Sequence, residues 1–241
     1  MTRSTCCNSC GRRAPKPGWE ITVETQAVIF DLDGLLVDTE PLHRRVFNAT
    51  LARHGVEYEI RDEEFGRAFV GISQRENSEY LIARFHIRAS ADELTREHHT
   101  EYARIVADPR NLTLMPSARV LLDHLQARAL PMAIASGSPR AQVETIVRGL
   151  ELASLFRAMV TGSDVANGKP APDAYLRACE QLRIDAARCL ALEDSASGAA
   201  AAKAAGLRVI VVPNRYTRHQ DLAFADARVE NLARVIDLLN R

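Results

Sequence analysis

Along the chain, short runs of aliphatic and β-branched residues alternate with stretches in which apolar residues recur every three or four positions. The runs are 26-QAVIF-30, 131-PMAIAS-136, 157-RAMVTG-162, 188-RCLALE-193 and 207-LRVIVV-212. Each is apolar almost throughout rather than alternating, the pattern of parallel strands covered on both faces. Amphipathic stretches near 117–129, 139–149, 172–183, 195–205 and 229–240 predict helices between and after them. Ser117, Ser138 and Asp173 stand where N-caps are expected, and Pro139 suits a first helical turn. A strand and helix series of this kind predicts an α/β fold with a doubly wound parallel sheet.

The rhythm breaks once. The first run ends at residue 30 and the second begins at 131, far more chain than an ordinary crossover needs, so a folded insert is expected there. Helical periodicity fills 43–55, 78–86 and 92–107, with no competing strand pattern. The expected organisation is a disordered tail over 1–22, a catalytic core over 23–39 and 113–241, and an all-helical cap over 40–112.

Composition narrows the partners. The 241 residues hold 31 Lys and Arg against 31 Asp and Glu, and no basic stripe stands out, so neither nucleic acid nor an anionic membrane is expected. A small molecule is the better default. No membrane-length apolar window and no secretory apolar stretch occur, and Arg12-Arg13 runs into Ala14-Pro15 rather than an apolar segment, so a cytoplasmic monomer is expected. Cys179 and Cys189 read as buried free thiols. Cys6, Cys7 and Cys10 lack a nearby fourth ligand for zinc, and the Pro- and Gly-interrupted tail around them reads as disordered.

Candidate chemistry gathers at the C-terminal ends of the expected strands, where loop amides and helix N-termini converge in parallel sheets. The first strand delivers Asp31 and Asp33, the second Ser136, Gly137 and Ser138, and the fourth Glu193, Asp194 and Ser195; 167-NGKPAPD-173 follows the third. Each piece has a bland alternative. Asp33-Gly34 could be a hairpin turn, Asp194-Ser195 an N-cap, Lys169-Pro170 a surface loop, and Ser136-Gly137-Ser138 a turn into a helix. An EF-hand fails because Leu35 stands where an oxygen ligand is needed. Together, however, carboxylates crowded in one crevice call for a hard divalent cation, and magnesium suits an all-oxygen set. A lysine in that company matches a metal-bound phosphate. The combined signature is a phosphoryl site.

These residues resemble the motifs of the haloacid dehalogenase superfamily, in its phosphatase and β-phosphoglucomutase-like branch. They occur as 31-DLDGLLVDTE-40, 134-IASGS-138, 168-GKPAPD-173 and 192-LEDSASG-198. The resemblance implies a Rossmann-like core with a helical cap inserted after the first motif. It also implies that Asp31 is the nucleophile, forming an aspartyl phosphate, and that Asp33 is the general acid and base. By the same resemblance, Mg2+ is bound by Asp31, the Asp33 backbone carbonyl and Asp194, with Glu193 beside it. Ser136 and the Gly137 amide hold phosphate oxygens, and Lys169 neutralises charge on the phosphate and Asp31.

The implied activity is a phosphomonoesterase acting on a small phosphorylated metabolite, a sugar or polyol phosphate. The alternatives are a β-phosphoglucomutase-type mutase and a catalytically silent phosphate-binding regulatory module. In the mutases a histidine after the first motif contacts the acid/base, and His43 matches it. Mutases also carry a cap arginine in G-x-S-R and a cap lysine. Here 71-GISQRENS-78 displaces Arg75 by one position, and residues 40–112 contain no lysine. Arg75 and His43 are kept as candidate phosphate-side residues, each with a surface or packing role as its alternative. His98 and His99 read as plain polar helix positions.

Overall fold

The computed structural model describes residues 25–240; the tail with Cys6, Cys7 and Cys10, expected to be disordered, lies outside the described residues. Six parallel strands, β1 (Ala27–Phe30), β2 (Met132–Ala135), β3 (Ala158–Val160), β4 (Cys189–Glu193), β5 (Arg208–Val211) and β6 (Ala227–Arg228), form one sheet in the order 3-2-1-4-5-6. This is the doubly wound Rossmann order. The five long runs are strands as expected, whereas β6 adds a two-residue edge that the apolar pattern does not announce.

Four helices fill the insert: α1 (Glu40–Arg53), α2 (Asp62–Ala68), α3 (Gln74–Phe85) and α4 (Ala91–Val106). The core helices are α5 (Ala118–Ala127), α6 (Arg140–Gly149), α7 (Asp173–Leu182), α8 (Ala196–Ala204) and α9 (Ala233–Leu239). Both sheet faces are dry. Val28 and Phe30 of β1 face one way, onto the leucines of α5 and the valines of α6, while Ala27 and Ile29 face α7 and α8. The second face is rich in alanine, Ala133, Ala135 and Ala191 in the strands and Ala178, Ala199 and Ala202 in the helices, so the layers approach closely.

The cap has its own core, in which Phe47, Phe65, Phe69, Leu81 and Leu94 pack together and Tyr216 joins from the loop after β5. Tyr216 sets its ring edge against Phe65, and its hydroxyl donates to Asp62 Oδ1 at 3.1 Å. Two capping boxes, Ser73 with Glu76 and Ser90 with Glu93, start α3 and α4. At its other side the cap is anchored to the sheet layer, because Tyr102, Ile105 and Val106 of α4 belong to the main core.

The expected caps of the core helices need correction. Ser117 does occupy the N-cap of α5, but with φ +67 and without a side-chain cap bond. Pro139, not Ser138, occupies the N-cap of α6, and Pro172 that of α7, with Asp173 as first helical residue. The freed side chains bond elsewhere: Ser138 to Asp33 and Asp173 to Asn167.

Ile29 is fully buried at the centre of the sheet, between β2 and β4. Ile29→Ala is expected to lower stability by about 2–5 kcal/mol in urea unfolding; a loss below about 1 kcal/mol would show that this layer repacks freely.

Candidate active site

Register brings the acidic residues together. Phe30 pairs with Leu192, so the two central strands β1 and β4 end side by side, delivering Asp31 next to Glu193 and Asp194. Asp31 is 7% exposed and Glu193 fully buried. One carboxylate oxygen from each of Asp31, Glu193 and Asp194 lies within 4.8 Å of the others.

Lys169 reaches into this cluster from the loop before α7. Its Nζ donates to Asp31 Oδ1 and to Glu193 Oε1, each at 2.6 Å. Asp173 holds the loop by accepting from Asn167 Nδ2 at 3.0 Å. Tyr175, in the first turn of α7, donates its hydroxyl to the same Glu193 oxygen at 2.5 Å. Burial alone would lower the Lys169 pKa, but Asp31 and Glu193 outweigh it and hold the ammonium protonated well above its ordinary range. Gly198 explains how Glu193 fits: a Cβ there would fall 2.0 Å from Glu193 Oε1.

Asp194 is held from the far side. Asn214 Nδ2, in the loop after β5, donates to Asp194 Oδ2 at 2.8 Å and to the Gly34 carbonyl at 3.0 Å. Gly34 has φ +77, and a side chain there would meet both Asn214 and Asp194 at 2.8 Å. The Asp33-Gly34 pair therefore does form a turn, closed by the Gly34 amide donating to Val37 O at 2.9 Å. Ser195 does cap α8, accepting from the Gly198 amide at 3.3 Å.

Asp33 sits apart from the acidic trio. Its Oδ1 accepts from Thr39 Oγ1 at 2.9 Å and from the Tyr102 hydroxyl at 3.5 Å, and its Oδ2 from Ser138 Oγ at 2.8 Å and Ser136 Oγ at 3.3 Å. Gly137 and Ser138 line the cavity in front of it. Ser136 does not; it is 1% exposed and accepts from the Ser138 amide, so it stands behind the loop expected to carry the phosphate.

The cluster's charge balance tests whether a metal fits. Burial, with Glu193 and Asp33 adding repulsion, pushes the Asp31 carboxyl up to about 8 although Lys169 pulls it down. Burial, then Asp31, Glu193 and Glu40, push Asp194 well above the carboxylate range. Glu193 Oε2 is buried and has no hydrogen-bond partner among the described residues. Three carboxylates against one ammonium, all donors being oxygen, with an orphaned oxygen among them, fit a hard divalent cation.

Above the sheet edge lies a cavity of about 260 Å³ shared by core and cap. His43, from α1, stacks on Tyr102 with centroids 4.0 Å apart and faces His98 Nε2 through its Nδ1 at 3.4 Å. Burial pushes the His43 pKa down to about 4, with His99 adding to the shift and Asp33 opposing it. His98 and His99 are not plain surface positions. His98 is 2% exposed, stacked on His43 with Phe47 tilted against it, and His99 lines the cavity and accepts Gln142 Nε2 from α6 at its carbonyl, 3.2 Å away.

Arg75, an expected phosphate-side residue, is not at the cavity. Its side chain is 61% exposed and pairs with Glu79 and Asp92 on the outer surface of the cap. Arg75 and Glu79 are one helical turn apart, which fixes the arginine outward. Tyr175, Asn214 and Gln142 were not anticipated as site residues. Among the described residues no helix is long and apolar enough to cross a membrane.

Comparison with known proteins agrees with this geometry. The family model for haloacid dehalogenase-like hydrolases matches residues 25–206. The chain is 35% identical to protein CbbY of Rhodobacter capsulatus over 217 residues, covering 88% of this chain and 95% of that protein. It is 33% identical to a phosphorylated carbohydrates phosphatase of Thermotoga maritima over 185 residues, 77% of this chain and 83% of that one. A crystal structure of a CbbY point mutant from Rhodobacter sphaeroides in complex with xylulose-(1,5)bisphosphate is similar at a TM-score of 0.77 and 31% identity, covering 87% of this chain and 95% of that chain. The strand order, the acidic residues at the ends of β1 and β4 and these matches make the chain a member of the haloacid dehalogenase-like hydrolases, in the phosphatase branch that carries a helical cap.

Proposed function

We propose that the chain hydrolyses the phosphomonoester of a small sugar or polyol phosphate, with Mg2+, through an aspartyl phosphate on Asp31. The observation that carries this reading is the pairing of Asp31 with Lys169 in a cavity that Asp33 also lines. The relatives named for phosphorylated carbohydrates and crystallised with a sugar bisphosphate support the substrate class.

Lys169 holds Asp31 Oδ1 at 2.6 Å, which leaves Oδ2 to attack phosphorus. As the Asp31 oxygen bonds to phosphorus, the ester oxygen departs and takes a proton from Asp33. Asp33 then takes a proton from water, the water oxygen attacks the phosphoryl phosphorus, and the bond to Asp31 breaks. Lys169 and the Gly137 and Ser138 segment face the phosphoryl oxygens, where fixed donors stabilise developing charge better than mobile water does. Asp31, Asp194 and the Asp33 carbonyl, with Glu193 beside them, would hold Mg2+, which when bound supplies the positive charge that the acidic cluster and the phosphate both need. The cap, anchored through α4, forms one wall of the cavity and so limits how much of a bound substrate faces bulk water. Without a lysine between residues 40 and 112, it gives no support to a mutase.

Asp31→Asn is expected to lower turnover of p-nitrophenyl phosphate in the presence of Mg2+ by on the order of 10,000-fold or more, and wild-type rates in that variant would refute the nucleophile. For Asp33→Ala the loss should be heavier with an alkyl phosphate than with p-nitrophenyl phosphate, whose leaving group needs no proton. Equal losses would remove Asp33 as the acid. Asn214→Ala deprives Asp194 of its partner and should weaken Mg2+ binding roughly 10- to 100-fold by calorimetric titration; an unchanged affinity would mean that Asp194 needs no such support.

A further inference from the structure

Building on the phosphatase reading, we infer that the cavity accepts one phosphate only, and that its cap wall selects an uncharged, hydroxylated remainder and rejects a substrate carrying a second phosphate.

A second phosphate needs a second source of positive charge. Among the described residues lining the cavity, Lys169 is the one lysine or arginine, and both of its hydrogen bonds go to Asp31 and Glu193. The arginines flanking the cap wall in sequence do not line the cavity: Arg75 pairs with Glu79 and Asp92 on the outer surface, Arg44 with Asp62 and the Ile60 carbonyl, and Arg45 is exposed. The imidazoles do not replace them, since burial drives His43 and His98 below their ordinary range and so keeps both uncharged near neutrality. Glu40, itself at the cavity, is a buried carboxyl and brings no positive charge. A dianion here would lose its hydration without gaining a partner.

The cap wall instead offers neutral polar atoms set among apolar ones. Phe47, Phe69 and Ile72 supply the apolar surface, and Gln74, Asn77 and His98 the polar groups. Asn77 is 4% exposed, and its Nδ2 donates to the Phe69 carbonyl at 3.0 Å, which fixes the amide so that Oδ1 is the end left over. That Oδ1 has no partner, and neither have Gln74 Nε2 and His98 Nδ1. Buried polar atoms without partners are costly, and three of them lie on residues that line this one wall, just beneath its surface, so that small side-chain adjustments on binding let a ligand complete the hydrogen bonding. Hydroxyl groups both donate and accept, so they satisfy an amide oxygen, an amide N–H and an imidazole nitrogen alike. A phosphate dianion only accepts, and Asn77 Oδ1 would face its oxygens with a lone pair.

The test compares kcat/KM for a ketohexose monophosphate with that for the bisphosphate of the same sugar, with Mg2+ and with p-nitrophenyl phosphate run alongside. The monophosphate is expected to be favoured by on the order of 100-fold. Gln74→Lys, which adds a cation at the half-buried rim, should move that ratio at least about 10-fold toward the bisphosphate. Arg75→Ala should leave the ratio where it was. Equal or better use of the bisphosphate by the wild type overturns the inference. So does a ratio unmoved by Gln74→Lys, a selective loss of bisphosphate turnover in Arg75→Ala, or hydrolysis of p-nitrophenyl phosphate with neither sugar accepted. If p-nitrophenyl phosphate is not hydrolysed either, the phosphatase reading itself fails and the inference falls with it.

Discussion

Three carboxylates from the ends of two neighbouring strands cannot share a dry pocket unless positive charge is brought in among them. The pairing of β1 with β4 forces this proximity, because the strands are adjacent and in register at Phe30 and Leu192. Much of the surrounding structure can be derived from that constraint. Lys169 arrives on a loop tied down by Asp173 and bridges Asp31 to Glu193. Tyr175 gives Glu193 a further donor, and α8 begins with a stretch in which Gly198 leaves room for the Glu193 carboxyl. Asn214 steadies Asp194 from a loop 20 residues away in sequence. One ammonium does not balance three acids, and the remaining deficit, with Glu193 Oε2 lacking any partner, is the physical ground for a divalent cation.

In the proposed reaction the chemistry and the selectivity sit on different parts of the molecule. Every group that fixes Asp31, Glu193 and Asp194 comes from the sheet layer, whose strands are buried on both faces and whose register tolerates no slip. The far wall of the cavity comes from the cap, built around a separate cluster of phenylalanines. Substitutions in the cap can therefore alter the remainder of the substrate that is admitted without disturbing the acidic cluster. This is the arrangement in which one reaction serves many substrates by variation of an insert.

Legibility in the sequence followed burial. Strands covered on both faces show as apolar runs, so β1 to β5 could be read directly; β6, two residues long with Arg228 exposed, carries no such signal. The short helix α2 was missed because only Phe65 and Gly66 of its seven residues are buried, too few for a period. The serines of 73-SQRE-76 and 90-SADE-93 do carry capping-box spacing, a local signal for the starts of α3 and α4. At the site, residues that follow strands were legible because parallel-sheet geometry fixes where strand ends point. His98 was not, since its burial depends on His43, 55 residues away, and on Phe47. Arg75 was legible as a surface residue through Glu79 four positions on, and that local pairing outweighs the motif-based expectation that it reaches phosphate.

Asp33 is the point where the two parts of the molecule meet. Its Oδ2 is held by Ser136 and Ser138 of the loop after β2, whereas its Oδ1 takes Thr39, at the entry to the cap, and Tyr102 of α4. Asp31, by contrast, takes its side-chain hydrogen bond from Lys169, a core residue and the one such partner among the described residues. A displacement of α4 would thus alter the setting of Asp33 while leaving the bond between Lys169 and Asp31 intact. Tyr102 also stacks on His43, and His43 faces His98, so the aromatic stack in the cap wall ends at the same carboxyl that serves as proton donor in the proposed reaction. The group that must act on the leaving oxygen is therefore the one whose position depends on how the cap sits, and that dependence links what the cap admits to when proton transfer can occur.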